Sequence, residues 1–485
     1  MSHSTFSNNV VVRFAPSPTG RLHVGGARTA LFNALLYERC GGRLIFRVED
    51  TDKAREITGA ATAMSEDLRW LGISFTEGEG IGGAAGPYRQ SERSAVYNSA
   101  IESLLQTGFV YRCFCSQERT AGLHEEALRH GKPPRYDRFC RNLDKSDIDQ
   151  RLNSSQPFVI RLAMDPVAKV RIDDLVKGAI EFLGENLDDL VIVRSDGSPT
   201  GILAGAVDDF AMGVTHIFRG DEWLPSTPYQ YRIFEGLQGK LPLWGHLSLL
   251  VDENHNKLSK RTAGLSIAEL REEGLLPAAI NRYLAGLGRG TYPTEDGWTI
   301  ESLSRNFDPA FYRSGELVYS KKMLLTENQA LLRRLTPKEL LSLLNVWDSN
   351  PDLFGSLDAS SREQAITLAT ETAQTLSEIR TSLLSITFAP DPKCIQNADT
   401  LRKEELFESL LSHFPQVDFT AESIQSVINL AGKSVGLKGR ELYLPIRLAL
   451  TGEPHGPKLI EIMLLLGHEE CIRRFYSAKE FLFSL

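Results

Sequence analysis

The stretch that most constrains this chain covers residues 14–26, F-A-P-S-P-T-G-R-L-H-V-G-G. A β-branched run at residues 10–12 precedes it, and Ala27, Ala30, Leu31, Ala34 and Leu35 follow at spacings of three and four. That order is a strand, a turn punctuated by Pro and Gly, and a helix. The two prolines stiffen the turn, and Gly20 permits a φ that other residues resist. Gly25 and Gly26 leave room for a ligand to approach the backbone where the helix begins. Free N–H groups and the positive dipole end there suit a polyphosphate, with His23 as a further donor. The spacing matches neither G-x-x-x-x-G-K-[ST] nor G-x-G-x-x-G, so neither a P-loop nor a dinucleotide fingerprint is supported. Taken alone, the segment also fits an ordinary strand-to-helix turn.

A second stretch lies far downstream. Residues 257–261, K-L-S-K-R, place three cations in five positions after the apolar run at 247–251. Alone it reads equally as a solvated basic loop. Between the two stretches the pattern alternates strands and helices. Glu49, Asp50 and Asp52 end a strand-like run, where open α/β sheets bind ligands, although Asp52 also suits a helix N-cap. Residues 111–190 have the character of an insertion. There Cys113, Cys115, Tyr136 and Cys140 could supply three thiolates and a phenolate to a four-coordinate zinc, or simply be reduced structural side chains. After about residue 262 the spacing turns helical, with amphipathic stretches at 266–287 and 331–344.

Composition narrows the class. A chain of 485 residues holds roughly three domains. No apolar run approaches the roughly 20 residues needed to cross a bilayer. The start, M-S-H-S-T-F-S-N-N, has no basic region followed by an apolar core, so we expect a short flexible tail on a cytoplasmic protein. Six cysteines in this length do not form a disulfide framework. A net charge of −8 excludes a generally basic nucleic-acid coat. Local patches remain at Lys132 with Arg135, Arg138 and Arg141, at Lys321 with Lys322, and at Lys433 with Lys438 and Arg440.

The two stretches together resemble the ATP-binding signatures of class I aminoacyl-tRNA synthetases. H-V-G-G at 23–26 stands for the HIGH motif and K-L-S-K-R at 257–261 for the KMSKS loop. With R-F-A-P-S-P-T-G at 13–20, E-D-T-D at 49–52, G-P-Y-R-Q-S-E-R at 86–93 and L-P-I-R-L-A-L-T-G at 444–452, nearly the whole chain is similar to bacterial-type glutamyl-tRNA synthetases. The resemblance implies an α/β fold: a split Rossmann-like nucleotide-binding domain with an inserted acceptor-binding domain, followed by all-α C-terminal domains. The expected division is a tail at 1–9, catalytic halves at 10–110 and 191–262, a tRNA acceptor-binding insert at 111–190, a helical stem-contact domain at 263–325 and a helical anticodon-binding domain at 326–485.

It implies that glutamate is activated by ATP with Mg²⁺ and passed to the 3′ end of tRNA, in an enzyme that is a monomer and usually needs bound tRNA for activation. His23, Lys257 and Lys260 would carry catalysis; Ser17, Thr19, His23, Gly25, Gly26, Lys257, Ser259 and Lys260 would hold ATP. Arg13, Ser17, Glu49 and Arg219 would hold glutamate, with Arg13 on the side-chain carboxylate and Glu49 on the ammonium. Zn²⁺ is the expected ion of the cysteine cluster; Asn142 stands where some relatives carry a histidine ligand, which leaves Tyr136 as the substitute.

Two departures bear on specificity. Gly201 and Gly205 replace a Tyr and an Asn of the family's amino-acid pocket, so a wider pocket with fewer polar contacts is expected. Thr372 aligns with an arginine that rejects the glutamine anticodon, which points to a ligase that charges tRNA for Glu, Gln or both. The alternative reading is a tRNA-binding paralogue with altered or absent amino-acid activation.

Overall fold

The computed structural model describes residues 9–258, 264–289, 297–348, 352–355, 357–398, 402–416 and 418–484. The chain divides into two compact units. One comprises Met1–Leu270 with Ile280–Ser320, the other Arg271–Ala279 with Lys321–Leu485.

The first unit is built on parallel β-structure. The strand Val10–Phe14 is buried throughout and pairs in parallel with Gly42–Phe46, which pairs with Glu77–Gly78. A second parallel pair joins His216–Gly220 to Leu243–Leu247. The two are linked where Thr215 N donates to Val11 O at 2.8 Å and Val11 N donates to Thr215 Oγ1 at 2.9 Å. The helix Val24–Cys40 crosses back over this sheet and buries Ala27, Ala30, Leu31, Ala34 and Leu35, the apolar positions of the sequence pattern. Parallel strands joined by helices place the strand C-terminal ends at one edge, where ligands bind.

The insertion carries antiparallel β-structure. Val110–Cys113 pairs with Val159–Leu162, and Lys169–Asp174 forms a hairpin with Gly178–Leu183. The strand Val191–Val193, expected to resume the α/β pattern, instead pairs antiparallel with Val159–Leu162. Its partner is chosen by sheet geometry rather than by sequence neighbourhood.

The second unit is helical, with its own core around Phe407, Phe414, Ile428, Ile446 and Phe475. The two amphipathic stretches of the sequence are each divided between two helices. Residues 266–287 form Ile267–Glu272 and Pro277–Gly286, the second starting on a proline. Residues 331–344 split between Lys321–Leu332 and Pro337–Trp347, because Thr336 caps the second helix in a box with Glu339. Leu317–Val318, a short strand of the first unit, pairs in parallel with Leu250–Val251. Among the described residues no helix is long and apolar enough to cross a membrane.

Candidate active site

The turn after the first strand is held by its own side chains. Gly20 has a φ of 146°, a backbone conformation that favours glycine. His23 is the N-cap of the Val24–Cys40 helix, and its Nδ1 accepts from Gly25 N at 3.0 Å. A neutral imidazole accepting at Nδ1 carries its hydrogen on Nε2, so the outer nitrogen is the donor. This corrects one expectation. The Gly25 N–H is not free for a ligand, because it is spent on the cap. A Cβ at Gly25 would lie 2.9 Å from His23 Cε1, and one at Gly26 would lie 3.0 Å from Leu22 Cδ1. Both glycines therefore make room for the turn itself.

A cavity of about 840 Å³ opens beside this turn. Arg13, Ser17, Thr19, His23, Gly25, Gly26, Glu49, Arg219 and Lys257 all line it. Lys257 is exposed and bridges to Val251, while Leu258 N donates to Leu250 O at 3.2 Å. On the far side of the loop, Ser266 bridges to His23, and Leu265 O accepts from Val24 N at 3.0 Å. Both flanks of the basic loop are thus tied to the cavity rim. Ser259, Lys260 and Arg261 lie outside the described residues.

Behind the lining residues Arg13 and Glu49 lies a buried charge network that the sequence only hinted at. Asp208 and Asp209 end the Gly201–Ala211 helix, buried in an otherwise apolar run. Asp209 accepts from Arg13 Nε and Nη2 at 3.0 and 3.3 Å, and from Arg47 Nη1 at 2.7 Å. Asp208 accepts from Arg93 Nε, Gln90 Nε2 and Tyr97 Oη. Arg47, fully buried, also reaches Glu49 Oε1 at 2.9 Å. Its signal in the sequence was an arginine within an apolar strand run, two residues before Glu49. Burial pushes the Glu49 carboxyl above the usual range, against the pull of Arg47. Asp50 is taken up by Ser91 and Arg89, and Asp52 makes no side-chain cap bond.

The two pocket arginines differ. Arg13 is an ion-pair member whose Nε and Nη2 are committed to Asp209. Arg219 is equally buried, but among the described residues it holds only neutral groups: His246 Nε2 at 3.1 Å, Gln230 Oε1 at 2.6 Å and Thr227 Oγ1 at 2.8 Å. Burial, and then the Arg13 charge, lower its pKa from the ordinary arginine value. A desolvated cation without a carboxylate partner is ready to donate to a ligand anion.

Gly201 and Gly205 line the same cavity. A Cβ at Gly201 would meet nothing within 4 Å; one at Gly205 would lie 3.5 Å from Gln230 Nε2 and 3.9 Å from Glu49 Oε1. The nearest polar group at Gly205 is thus the Gln230 amide.

In the insertion, the Sγ atoms of Cys113, Cys115 and Cys140 lie within 4.8 Å of one another. Tyr136 Oη is 3.3 Å from Cys113 Sγ and 3.4 Å from Cys115 Sγ. A tetrahedral zinc–thiolate site spaces its sulfurs by roughly 3.8 Å, so the donor set fits zinc. The neighbouring Cys140, the largest cause, holds the Cys113 thiol below the ordinary thiol range, and Cys113 in turn raises Cys140.

In the helical unit, Thr372 is exposed on the wall of a separate cavity of about 600 Å³. Arg447 and Ser382 share that wall, with Arg447 Nη1 and Ser382 Oγ buried and without hydrogen-bond partners among the described residues.

A family model described as "tRNA synthetases class I (E and Q), catalytic domain" matches residues 9–324, and one described as "Anticodon binding domain" matches residues 330–479. The chain is 36% identical over 482 residues to the glutamate–tRNA ligase of Bacillus licheniformis, covering 97% of this chain and 99% of that one. It is 35% identical over 478 residues to the glutamate–tRNA ligase of Bacillus subtilis, covering 96% and 99%. A crystal structure of a glutamate tRNA ligase from Elizabethkingia meningosepticum, in complex with its amino acid, superposes with a TM-score of 0.82 at 31% identity, covering 98% of this chain and all of that one.

Proposed function

This chain belongs to the class I tRNA synthetases of the E and Q type, and we infer that it is a glutamate–tRNA ligase, an ATP-dependent aminoacyl-tRNA ligase. Its substrates are glutamate, ATP taken as its magnesium complex, and tRNA. The observation that supports this reading most is the meeting of unlike charges in one cavity: Arg219, without a carboxylate partner among the described residues, and Glu49 with its charge resisted by burial. An amino acid with two carboxylates and an ammonium complements both. Arg13 and Arg219 take the carboxylates and Glu49 takes the ammonium, with Ser17 at the rim.

The reaction has two steps. An α-carboxylate oxygen of glutamate bonds to the α-phosphorus of ATP while the bond to the bridging oxygen breaks and pyrophosphate leaves with the electron pair. A hydroxyl of the terminal adenosine of tRNA then attacks the acyl carbon, AMP departs, and the hydroxyl proton is released. His23, donating through Nε2, and Lys257 with Lys260 offset charge growing on the phosphates; Thr19, Gly25, Gly26 and Ser259 shape the nucleotide site. No enzyme nucleophile is required.

Several finer readings accompany this one. Zinc is held by Cys113, Cys115, Tyr136 and Cys140 and braces the insertion, which binds the tRNA acceptor end; metal analysis should find about one zinc per chain, lost in Cys140→Ser. Residues 263–325 contact the tRNA stem and 326–485 the anticodon. Thr372 presents a short hydroxyl where a guanidinium would exclude the glutamine anticodon, so tRNA for Gln is charged alongside tRNA for Glu; separate transcripts test this, and Thr372→Arg should narrow charging to tRNA for Glu. The ligase acts as a monomer in the cytoplasm.

ATP–pyrophosphate exchange with a panel of amino acids, with and without tRNA, tests the function. Exchange with glutamate that depends on tRNA is expected. Exchange with another amino acid would move the specificity to the space at Gly201 and Gly205. No exchange, with tRNA still bound, would leave the paralogue reading.

A further inference from the structure

The guanidinium of Arg219 is held from behind the pocket by a pair of residues that never reach its lining. Arg219 and His246 are register partners on the parallel strands His216–Gly220 and Leu243–Leu247. Arg219 Nε donates to His246 Nε2 at 3.1 Å. A guanidinium only donates, so His246 Nε2 must accept. The ring proton therefore sits on Nδ1, which is 2.6 Å from Asp174 Oδ2. The imidazole is neutral with its tautomer set from both sides, and burial, the largest cause, lowers its pKa in keeping with that state.

Asp174 is fixed as firmly. It ends the strand Lys169–Asp174 of the inserted hairpin, and its side chain is fully buried. Oδ1 accepts from the backbone N–H groups of Val176 and Lys177, each at 2.9 Å. Both oxygens accept from His246 N, at 3.2 and 3.1 Å. Leu175 N donates to Trp244 O at 2.8 Å beside this contact. A carboxylate of the insertion thus reaches the pocket guanidinium through one imidazole.

We propose that Asp174 and His246 are positioning residues that aim the Arg219 guanidinium at the substrate carboxylate, and so tie the inserted hairpin to amino-acid binding. The inference rests on the glutamate–tRNA ligase reading above. The chemistry of Asp174→Asn makes it testable. Oδ1 keeps its backbone donors, so the new amide nitrogen faces His246 Nδ1. That forces the hydrogen onto Nε2, where it opposes the Arg219 Nε–H donor to donor. His246→Gln preserves the pattern, since its carbonyl can accept from Arg219 and its amide can donate to Asp174. His246→Leu removes both bonds.

The experiment is tRNA-dependent ATP–pyrophosphate exchange on the full chain, with KM measured separately for glutamate and ATP. Asp174→Asn and His246→Leu are expected to raise the glutamate KM about 10-fold or more, with the ATP KM within about 2-fold. His246→Gln should stay within about 3-fold for both. Equal rises in both KM values, or a glutamate KM unchanged in variants that merely melt earlier, would reduce the pair to packing and overturn the proposal. So would His246→Gln as impaired as His246→Leu, a comparison that decides the matter even if Asp174→Asn fails to fold. Wild-type chain that fails to exchange with glutamate would remove the parent reading instead.

Discussion

Glu49 carries a charge that its surroundings resist. Burial raises its pKa above the ordinary carboxylate value, and the Arg47 guanidinium only partly opposes this. A raised folded-state pKa favours the protonated form, so its contribution to stability is present below the unfolded pKa and is lost as pH rises through the folded one. Binding runs the other way, because only the ionised group attracts an ammonium. The kcat/KM for glutamate should therefore fall as pH drops through the raised pKa, and Glu49→Gln should abolish that limb of the profile; a pH–rate series checks both. Asp209 tests the network beneath. It accepts from two buried guanidiniums, and Asp209→Asn places amide hydrogens against one of them. We expect a loss of about 3–5 kcal/mol in urea unfolding, since breaking a buried pair leaves its partner uncompensated.

The Gly201–Ala211 helix shows how one element serves two purposes. Positions 201, 205, 208 and 209 follow helical spacing, so the two glycines and two aspartates share a face. The first turns leave the cavity wall bare, and the last turn anchors three arginines. The glycine within the helix has a cost in backbone freedom. Gly205→Ala should raise stability by about 0.5–1 kcal/mol in denaturant unfolding, because its Cβ would make only ordinary contacts at 3.5 Å. The apolar run and the acid pair are visible in the sequence, but that the pair is buried against arginines from distant segments is visible only in the fold. Elsewhere, as at 266–287 and 331–344, a proline or a cap box divides a continuous apolar spacing between two helices.

At the scale of the molecule, each compact unit has its own apolar core, and the chain passes between them more than once. In the helical unit, Arg271–Ala279 is tied in by Asn328, whose fully buried side chain accepts from Leu276 N at 2.8 Å and donates to Gln374 O at 2.6 Å. Asn328→Ala should destabilise that unit by about 1–3 kcal/mol, because it strands buried backbone groups; unfolding followed by hydrogen exchange in the helical unit checks this. The sequence by itself determined the strand–turn–helix at residues 10–40, the order of the two cation-handling stretches and the α/β-to-helical progression. Those features are local, written by prolines, glycines and apolar spacing within a few residues. Only the tertiary structure decided what each arginine does. Arg13 and Arg219 look alike in sequence, yet one is ion-paired with Asp209, 196 positions away, and the other rests on neutral groups backed by Asp174 through His246. Ion pairing in a core depends on which distant side chains the sheet brings together, and no local pattern encodes that.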